Sequence, residues 1–245
     1  MKNTMKQLKG VINSTAELNK KNFEIVVVGT SLGGLQALTV LLADLPQSFP
    51  LPVVIVQHRH KSSRDRLTDF LQQQTSLQIT EAEDKEPIAP GRVYLAPADY
   101  HLLIESPWEW EQSVSENDFT EWGRLPVEPI DNSNSSILSR GTPTFALSTE
   151  GPVCYARPSI DVLFESAADA FGEKAIGIIL TGANCDGSEG LAKIKAEGGL
   201  TFVEEPASAL CRTMPASAIA NVEVDWILPL SKIVPCLVKL LRIKN

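Results

Sequence analysis

The hydrophobic pattern changes character at Glu24. Residues 1–22 show no sustained apolar periodicity and read as an N-terminal arm. Immediately after, Ile25, Val26, Val27 and Val28 form an unbroken apolar run ending at Gly29, which marks a parallel strand buried on both faces. Leu35, Leu38, Leu41, Leu42 and Leu45 then recur at three- and four-residue spacing until Pro46, the signature of an amphipathic helix with a stop. The unit repeats, with a strand over 53–56 and a helix over 63–73 whose apolar face carries Leu67, Phe70 and Leu71. Two βα units in succession predict a parallel sheet with right-handed crossovers.

Between 78 and 105 the pattern turns to short strands. Gly91-Arg-Val-Tyr-Leu-Ala96 and His101-Leu-Leu-Ile104 flank the turn-forming Pro97, Ala98 and Asp99, which predicts an antiparallel hairpin at the sheet edge. Residues 106–152 are rich in Ser, Asn, Glu and Pro and carry Trp108, Trp110 and Trp122. This stretch reads as a poorly ordered insertion ahead of a functional lid. Regular alternation then resumes: a helix over 159–171, a strand over 175–180, a loop over 181–187 and a helix over 187–197 stopped by Gly198 and Gly199. A strand over 200–203 and helices over 215–220 and 230–241 complete the chain. The expected fold is α/β, a doubly wound, mostly parallel sheet with flanking helices and an edge β-hairpin, formed by one domain over 23–245.

A length of 245 residues with 43% hydrophobic positions suits one core near the upper size at which single cores stop growing. No run reaches the roughly 18–20 apolar residues that cross a bilayer, and the first twenty residues are polar. Membrane insertion and export are therefore not expected. Cys154, Cys185, Cys211 and Cys236 are scattered without a Cys-x-x-Cys pair, so they read as reduced cytoplasmic thiols rather than zinc ligands. A formal net charge of −8 argues against nucleic acid, whose affinity comes from Lys and Arg neutralising phosphates. No metal or cofactor is expected.

Three polar side chains fall at strand ends: Ser31 after the first strand, His58 after the second, and Asp186 in the loop leaving a later one. In an open parallel sheet the carboxyl ends of all strands share one edge, where clefts form, so these three can meet. A serine needs a base to become nucleophilic, and the base needs an acid to fix its tautomer. Each residue also has a simpler role. Ser31 suits an N-cap of the first helix, Asp186 suits an N-cap of the helix over 187–197, and His58 suits a hydrogen-bonded strand-end histidine. Taken singly these roles are the better bets; the conjunction favours a Ser31, His58, Asp186 set. Gly29-Thr-Ser-Leu-Gly-Gly34 places the serine on a sharp turn beside free helix N–H groups suited to an oxyanion. The same loop could hold a phosphate. A dinucleotide site, however, calls for an acidic residue about 20 positions on, where this chain has Gln57 and His58. His58 and His60 lack further ligands to complete a metal site, and Cys185 lacks a local base to make it a nucleophile.

Several blocks together resemble the catalytic domain of chemotaxis protein-glutamate methylesterases over about 24–230: Gly29-Thr-Ser-Leu-Gly-Gly34, Val56-Gln-His58, Thr181-Gly-Ala-Asn-Cys-Asp-Gly187, Gly91-Arg-Val-Tyr-Leu-Ala-Pro97, Arg157-Pro-Ser-Ile-Asp-Val-Leu-Phe164 and Met214-Pro215. The resemblance implies that Ser31 attacks the γ-methyl ester of methylated glutamates on the cytoplasmic helices of chemoreceptors, with His58 as base and Asp186 orienting it. Methanol leaves, and water then frees the glutamate from the acyl-enzyme; certain glutamines can be deamidated by the same attack. It further implies main-chain N–H groups of Leu32 and Ala183 as oxyanion donors, with Thr30, Gly33 and Met214 in the same oxyanion and substrate-binding set. Leu32 stands where a threonine is usual, Ala183-Asn-Cys185 where Met-Gly-Asn is typical, and the insertion over 106–152 is longer than in the family pattern. These departures leave open a receptor-binding module of the same fold without activity. The family commonly carries an N-terminal receiver domain, which about 22 residues cannot encode, so phosphorylation-gated release is not expected within this chain and a separate regulatory protein is a possible partner.

Overall fold

Seven short strands lie side by side as one all-parallel sheet in the computed structural model, which describes residues 22–59, 67–106 and 141–243. In chain order the elements are β1 (Ile25–Thr30), α1 (Gly34–Asp44), β2 (Val53–Gln57), α2 (Leu67–Gln72), β3 (Gln78–Glu81), β4 (Arg92–Leu95), β5 (His101–Glu105), β6 (Thr144–Ser148), α3 (Ile160–Phe171), β7 (Ala175–Ile179), α4 (Ser188–Ala196), β8 (Leu200–Glu204), α5 (Thr213–Asn221), β9 (Trp226–Leu228) and α6 (Leu230–Leu240). The sheet runs β3-β4-β2-β1-β7-β8-β9. From β1 the chain winds outward through β2 to β4 and β3, then returns to lay β7 on the other side of β1. The winding therefore reverses between β1 and β7, where open α/β sheets form their clefts.

The unbroken apolar run of β1 serves two cores at once. Val26 and Val28 join Leu38, Leu42 and Leu237 on one face, while Ile25 and Val27 join Ile160, Phe164, Leu191 and Ala218 on the other. Each such side chain contributes about 1.5–3 kcal/mol by leaving water, so burial on both faces anchors β1 at the centre of the sheet. Two helical positions face outward against expectation. Leu35 and Phe70 are exposed, Leu35 because it lies on the rim of the cleft described below.

The antiparallel pair has different strands from those expected. β4 pairs in parallel with β2 on one side and β3 on the other, so neither of its edges is left for β5. Asp99 adopts φ 69° in the turn where the chain leaves the sheet. β5 pairs instead with β6, register Leu103↔Ala146, which lies inside the stretch expected to be insertion. Phe145 of β6 is fully buried and meets Tyr94 edge-on at 4.9 Å, and Ile104 N–H donates to Ser166 Oγ at 3.1 Å. The pair thus closes one face of the sheet next to α3. β9 was not expected, since Trp226-Ile-Leu228 is too short to register as a periodic run. His60, residues 63–66 of the expected helix, and Trp108, Trp110 and Trp122 lie outside the described residues.

Gly187 ends the loop before α4 with φ 94°, and a Cβ there would come within 2.6 Å of both Ile160 and Ile179. Gly187→Ala combines left-handed strain with overpacking, and is expected to destabilise the fold by about 2–4 kcal/mol. Chemical denaturation measures the loss.

Candidate active site

The turn after β1 is held from below. Thr30 is fully buried, and its hydroxyl donates to Thr181 O at 2.8 Å. Ser31 N–H donates to the same carbonyl at 3.0 Å. Thr181 N–H in turn donates to the buried Glu204 carboxylate at 2.8 Å; burial pushes that acid upward, against the pull of this N–H. Gly33 takes the left-handed conformation, φ 85°, and α1 starts after it with no side-chain cap. Ser31 therefore does not spend its hydroxyl capping the helix.

The strand register brings His58 beside the serine. Thr30 is paired with Gln57 across β1 and β2, so Ser31 and His58 are the next residues out on adjacent strands, which run about 4.8 Å apart. His58 N–H donates to Thr30 O at 3.1 Å. The Gln57 amide fastens both turns, donating to Ser31 O at 2.9 Å and His58 O at 3.0 Å. Ser31, Leu32, Gly33, Leu35, His58 and Leu210 line one cleft of about 410 Å³. Among the described residues, no hydrogen bond joins the Ser31 hydroxyl to the His58 ring, a contact that often tightens only with substrate bound.

The expected contact between His58 and Asp186 is present. His58 Nε2 lies 2.7 Å from Asp186 Oδ2, which directs the Nε2 proton to the carboxylate and leaves Nδ1 as the basic nitrogen. Asn184 Nδ2 sits 3.4 Å from that Nδ1. Asp186 is fully buried and accepts three further bonds: Ser159 Oγ at 2.8 Å, Ile160 N–H at 2.7 Å and Asp161 N–H at 3.1 Å. Burial pulls its pKa up, but the hydrogen bonds from His58, Ile160 and Asp161 outweigh that and hold it below the usual carboxylate range. Asp186 is indeed a helix cap, but of α3 rather than of α4, which begins with Gly187 and no side-chain cap.

The remaining expected residues divide. Leu32 is exposed on the cleft rim, Gly33 lines it, and Ala183 lies on an exposed loop. Among the described residues, no hydrogen bond occupies the N–H groups of Leu32 and Ala183. Thr30 and Met214 are buried and do not line the cleft. Met214 N–H donates to Gly182 O at 2.9 Å, and its side chain fills the space that a Cβ on Gly182 would need. It supports the 181–187 loop from beneath. Cys154, Asp161 and Asp186 bring three possible metal-ligand atoms within 4.8 Å of one another, but the four donors already on Asp186 leave it no open lone pair for an ion.

A family model described as CheB methylesterase matches residues 26–237. The chain belongs to the CheB methylesterase family. A protein of Leptospira interrogans is 39% identical over 219 residues, covering 89% of this chain and 95% of its own length. The protein-glutamate methylesterase/protein-glutamine glutaminase of Thermotoga maritima is 31% identical over 89% of this chain, which spans 54% of that relative. The protein-glutamate methylesterase FrzG of Myxococcus xanthus is 32% identical over 86% of this chain, which spans 53% of it. The crystal structure of the Thermotoga maritima CheB methylesterase catalytic domain superposes with a TM-score of 0.73 at 31% identity, covering 90% of this chain and all of that one. The parallel sheet of this CheB methylesterase domain and its flanking helices match that fold.

Sequence reasoning passed over several residues that build this CheB site. Ser159 and Asp161 lie in a block that carries no chemistry of its own by sequence, yet they wrap Asp186. The buried His101 accepts Ser159 N–H at 3.2 Å on Nδ1 and reaches Gly151 O at 3.0 Å through Nε2, fixing the entry to α3. Asn184, flagged only as a departure from the family pattern, turns out to touch the catalytic candidate's ring.

Proposed function

We propose that this protein is a serine hydrolase that removes γ-methyl esters from glutamate side chains of chemoreceptors and deamidates glutamines by the same route. The observation that carries this reading is the His58 and Asp186 pair, 2.7 Å apart, on the strand end adjoining Ser31 in a chain of the CheB methylesterase family. Ser31 Oγ attacks the ester carbonyl carbon as its proton passes to His58 Nδ1. Asp186 steadies the imidazolium through Nε2. The N–H groups of Leu32 and Ala183 receive the tetrahedral oxyanion, each such donor being worth about 3 kcal/mol of barrier. Collapse returns the proton to the leaving methoxide, and methanol departs. Water, activated by the same histidine, attacks the acyl-serine and frees the glutamate; with a glutamine substrate the first leaving group is ammonia.

The substrate is the cytoplasmic helical region of a chemoreceptor, which puts the enzyme in the cytoplasm. Among the described residues no helix is long and apolar enough to cross a membrane. Labelling by a serine-directed fluorophosphonate tests the nucleophile directly, with Ser31 as the expected modified residue. An unlabelled Ser31 in a protein that still binds methylated receptor fragments would favour the silent receptor-binding module.

A further inference from the structure

Two helices begin against each other at the acid of the triad. The N–H groups of Ile160 and Asp161, in the first turn of α3, donate to Asp186. The N–H of Gly190, in the first turn of α4, donates to Asp161 Oδ1 at 2.8 Å. Each aspartate thus stands at the start of one helix and caps the other, so the loop holding Asp186 is tied to α3 from both directions. Both side chains are out of water, at 0% and 5% exposure for Asp186 and Asp161. Their carboxylate oxygens lie within 4.8 Å of each other, too close for two buried charges to ionise together at little cost.

Hydrogen bonding decides which one carries the charge. Asp186 has four donors, whereas the Asp161 carboxyl takes one N–H, that of Gly190, and its other hydrogen-bond partner is the Asp186 carboxylate itself. The groups that face Asp161 are Asp186 with His58 behind it, Glu165 of its own helix, and the Cys154 thiol. Burial pushes Asp161 up to about 7, with the Gly190 N–H opposing and the charge of Asp186 adding to the rise.

We propose that Asp161 is a positioning residue for the triad: its carboxyl ties the start of α4, and with it the Asp186 loop, to α3, and it keeps the negative charge of the pair on the carboxylate that faces His58. The proposal rests on the triad reading given above. When Asp161 ionises as pH rises through about 7, a second buried negative charge loosens the mutual caps. Activity then declines toward alkaline pH.

The test compares the full-length wild type with Asp161→Asn and Asp161→Ala, using p-nitrophenyl acetate as a small activated ester, with kcat and KM followed from pH 5.5 to 9.5. Asp161→Ala removes the anchor of Gly190 and is expected to lower kcat by about 30-fold at pH 7 with KM within about 2-fold, as misplaced catalytic groups do. Asp161→Asn keeps an acceptor for Gly190 without a charge, and is expected to restore kcat to within about 3-fold of the wild type. Its profile should also lack the alkaline decline. An unchanged kcat in Asp161→Ala, or an Asn variant as impaired as the Ala variant, overturns the proposal. So does an alkaline limb that persists in Asp161→Asn. If Asp161→Ala does not fold, the profiles of Asp161→Asn and the wild type decide alone. A wild type inert toward the ester and toward fluorophosphonate would remove the hydrolase reading and this proposal together, whereas an active wild type with indifferent Asp161 variants removes only this one.

Discussion

Ser31→Ala is expected to lower ester turnover by about 10⁴–10⁶-fold while leaving the unfolding temperature unchanged. The asymmetry follows from how the serine is held. Its backbone N–H and carbonyl are tied to Thr181 and Gln57, and both ties survive the substitution. Its hydroxyl caps nothing, since α1 starts without a side-chain cap, so its loss should cost no more than about 0.5 kcal/mol of stability. Methanol release from methylated chemoreceptor fragments, paired with calorimetry of the same preparations, measures both quantities. Methanol release at the wild-type rate would end the assignment of Ser31 as nucleophile.

Asp186→Ala should fail in both respects. The substitution removes orientation of the histidine, which alone is worth about 10⁴-fold in rate. It also leaves the Ser159 hydroxyl and the Ile160 and Asp161 N–H groups without their acceptor. Each buried donor left unpaired costs about 1–3 kcal/mol, partly recovered by relaxation. A net loss of about 3 kcal/mol is expected, or roughly 6–12 °C in unfolding temperature for a chain of this size. The pH dependence supplies a check of sign. The Asp186 acid is held below its usual range, so its contribution is present above the unfolded carboxylate value of about 3.9 and fades as pH falls toward the folded one. The stability gap between wild type and variant should therefore be full at pH 7 and shrink below about pH 4. A variant as stable as the wild type at pH 7 would show that the helix start of α3 does not depend on this carboxylate.

The contrast between these two residues shows what could be read from the chain beforehand. β1, β2 and β7 were legible because a strand buried on both faces leaves an unbroken apolar run, and a parallel sheet then places Ser31, His58 and the 181–187 loop on one edge. The partner of β5 was not legible. Pairing depends on which sheet edges remain free, and β4 had spent both of its own on β2 and β3. The correct partner, β6, lies beyond a long polar stretch that carries no periodic signal. Asp186 was legible as a cap but not as a cap of α3, because the helix that it serves begins 26 residues earlier in the chain. Thr30 and Met214 sit in blocks that resemble the family, but a block shared by a family can serve packing as well as chemistry. Only burial distinguishes the two.

The mutual capping of α3 and α4 has a bearing on how such domains age. A descendant released from selection for turnover could discard the serine at almost no structural expense, but giving up the aspartate would strip the start of α3 of its acceptor. Among silent offshoots of this lineage, the acid should therefore outlast the nucleophile, persisting as a relic of lost chemistry maintained by architecture alone.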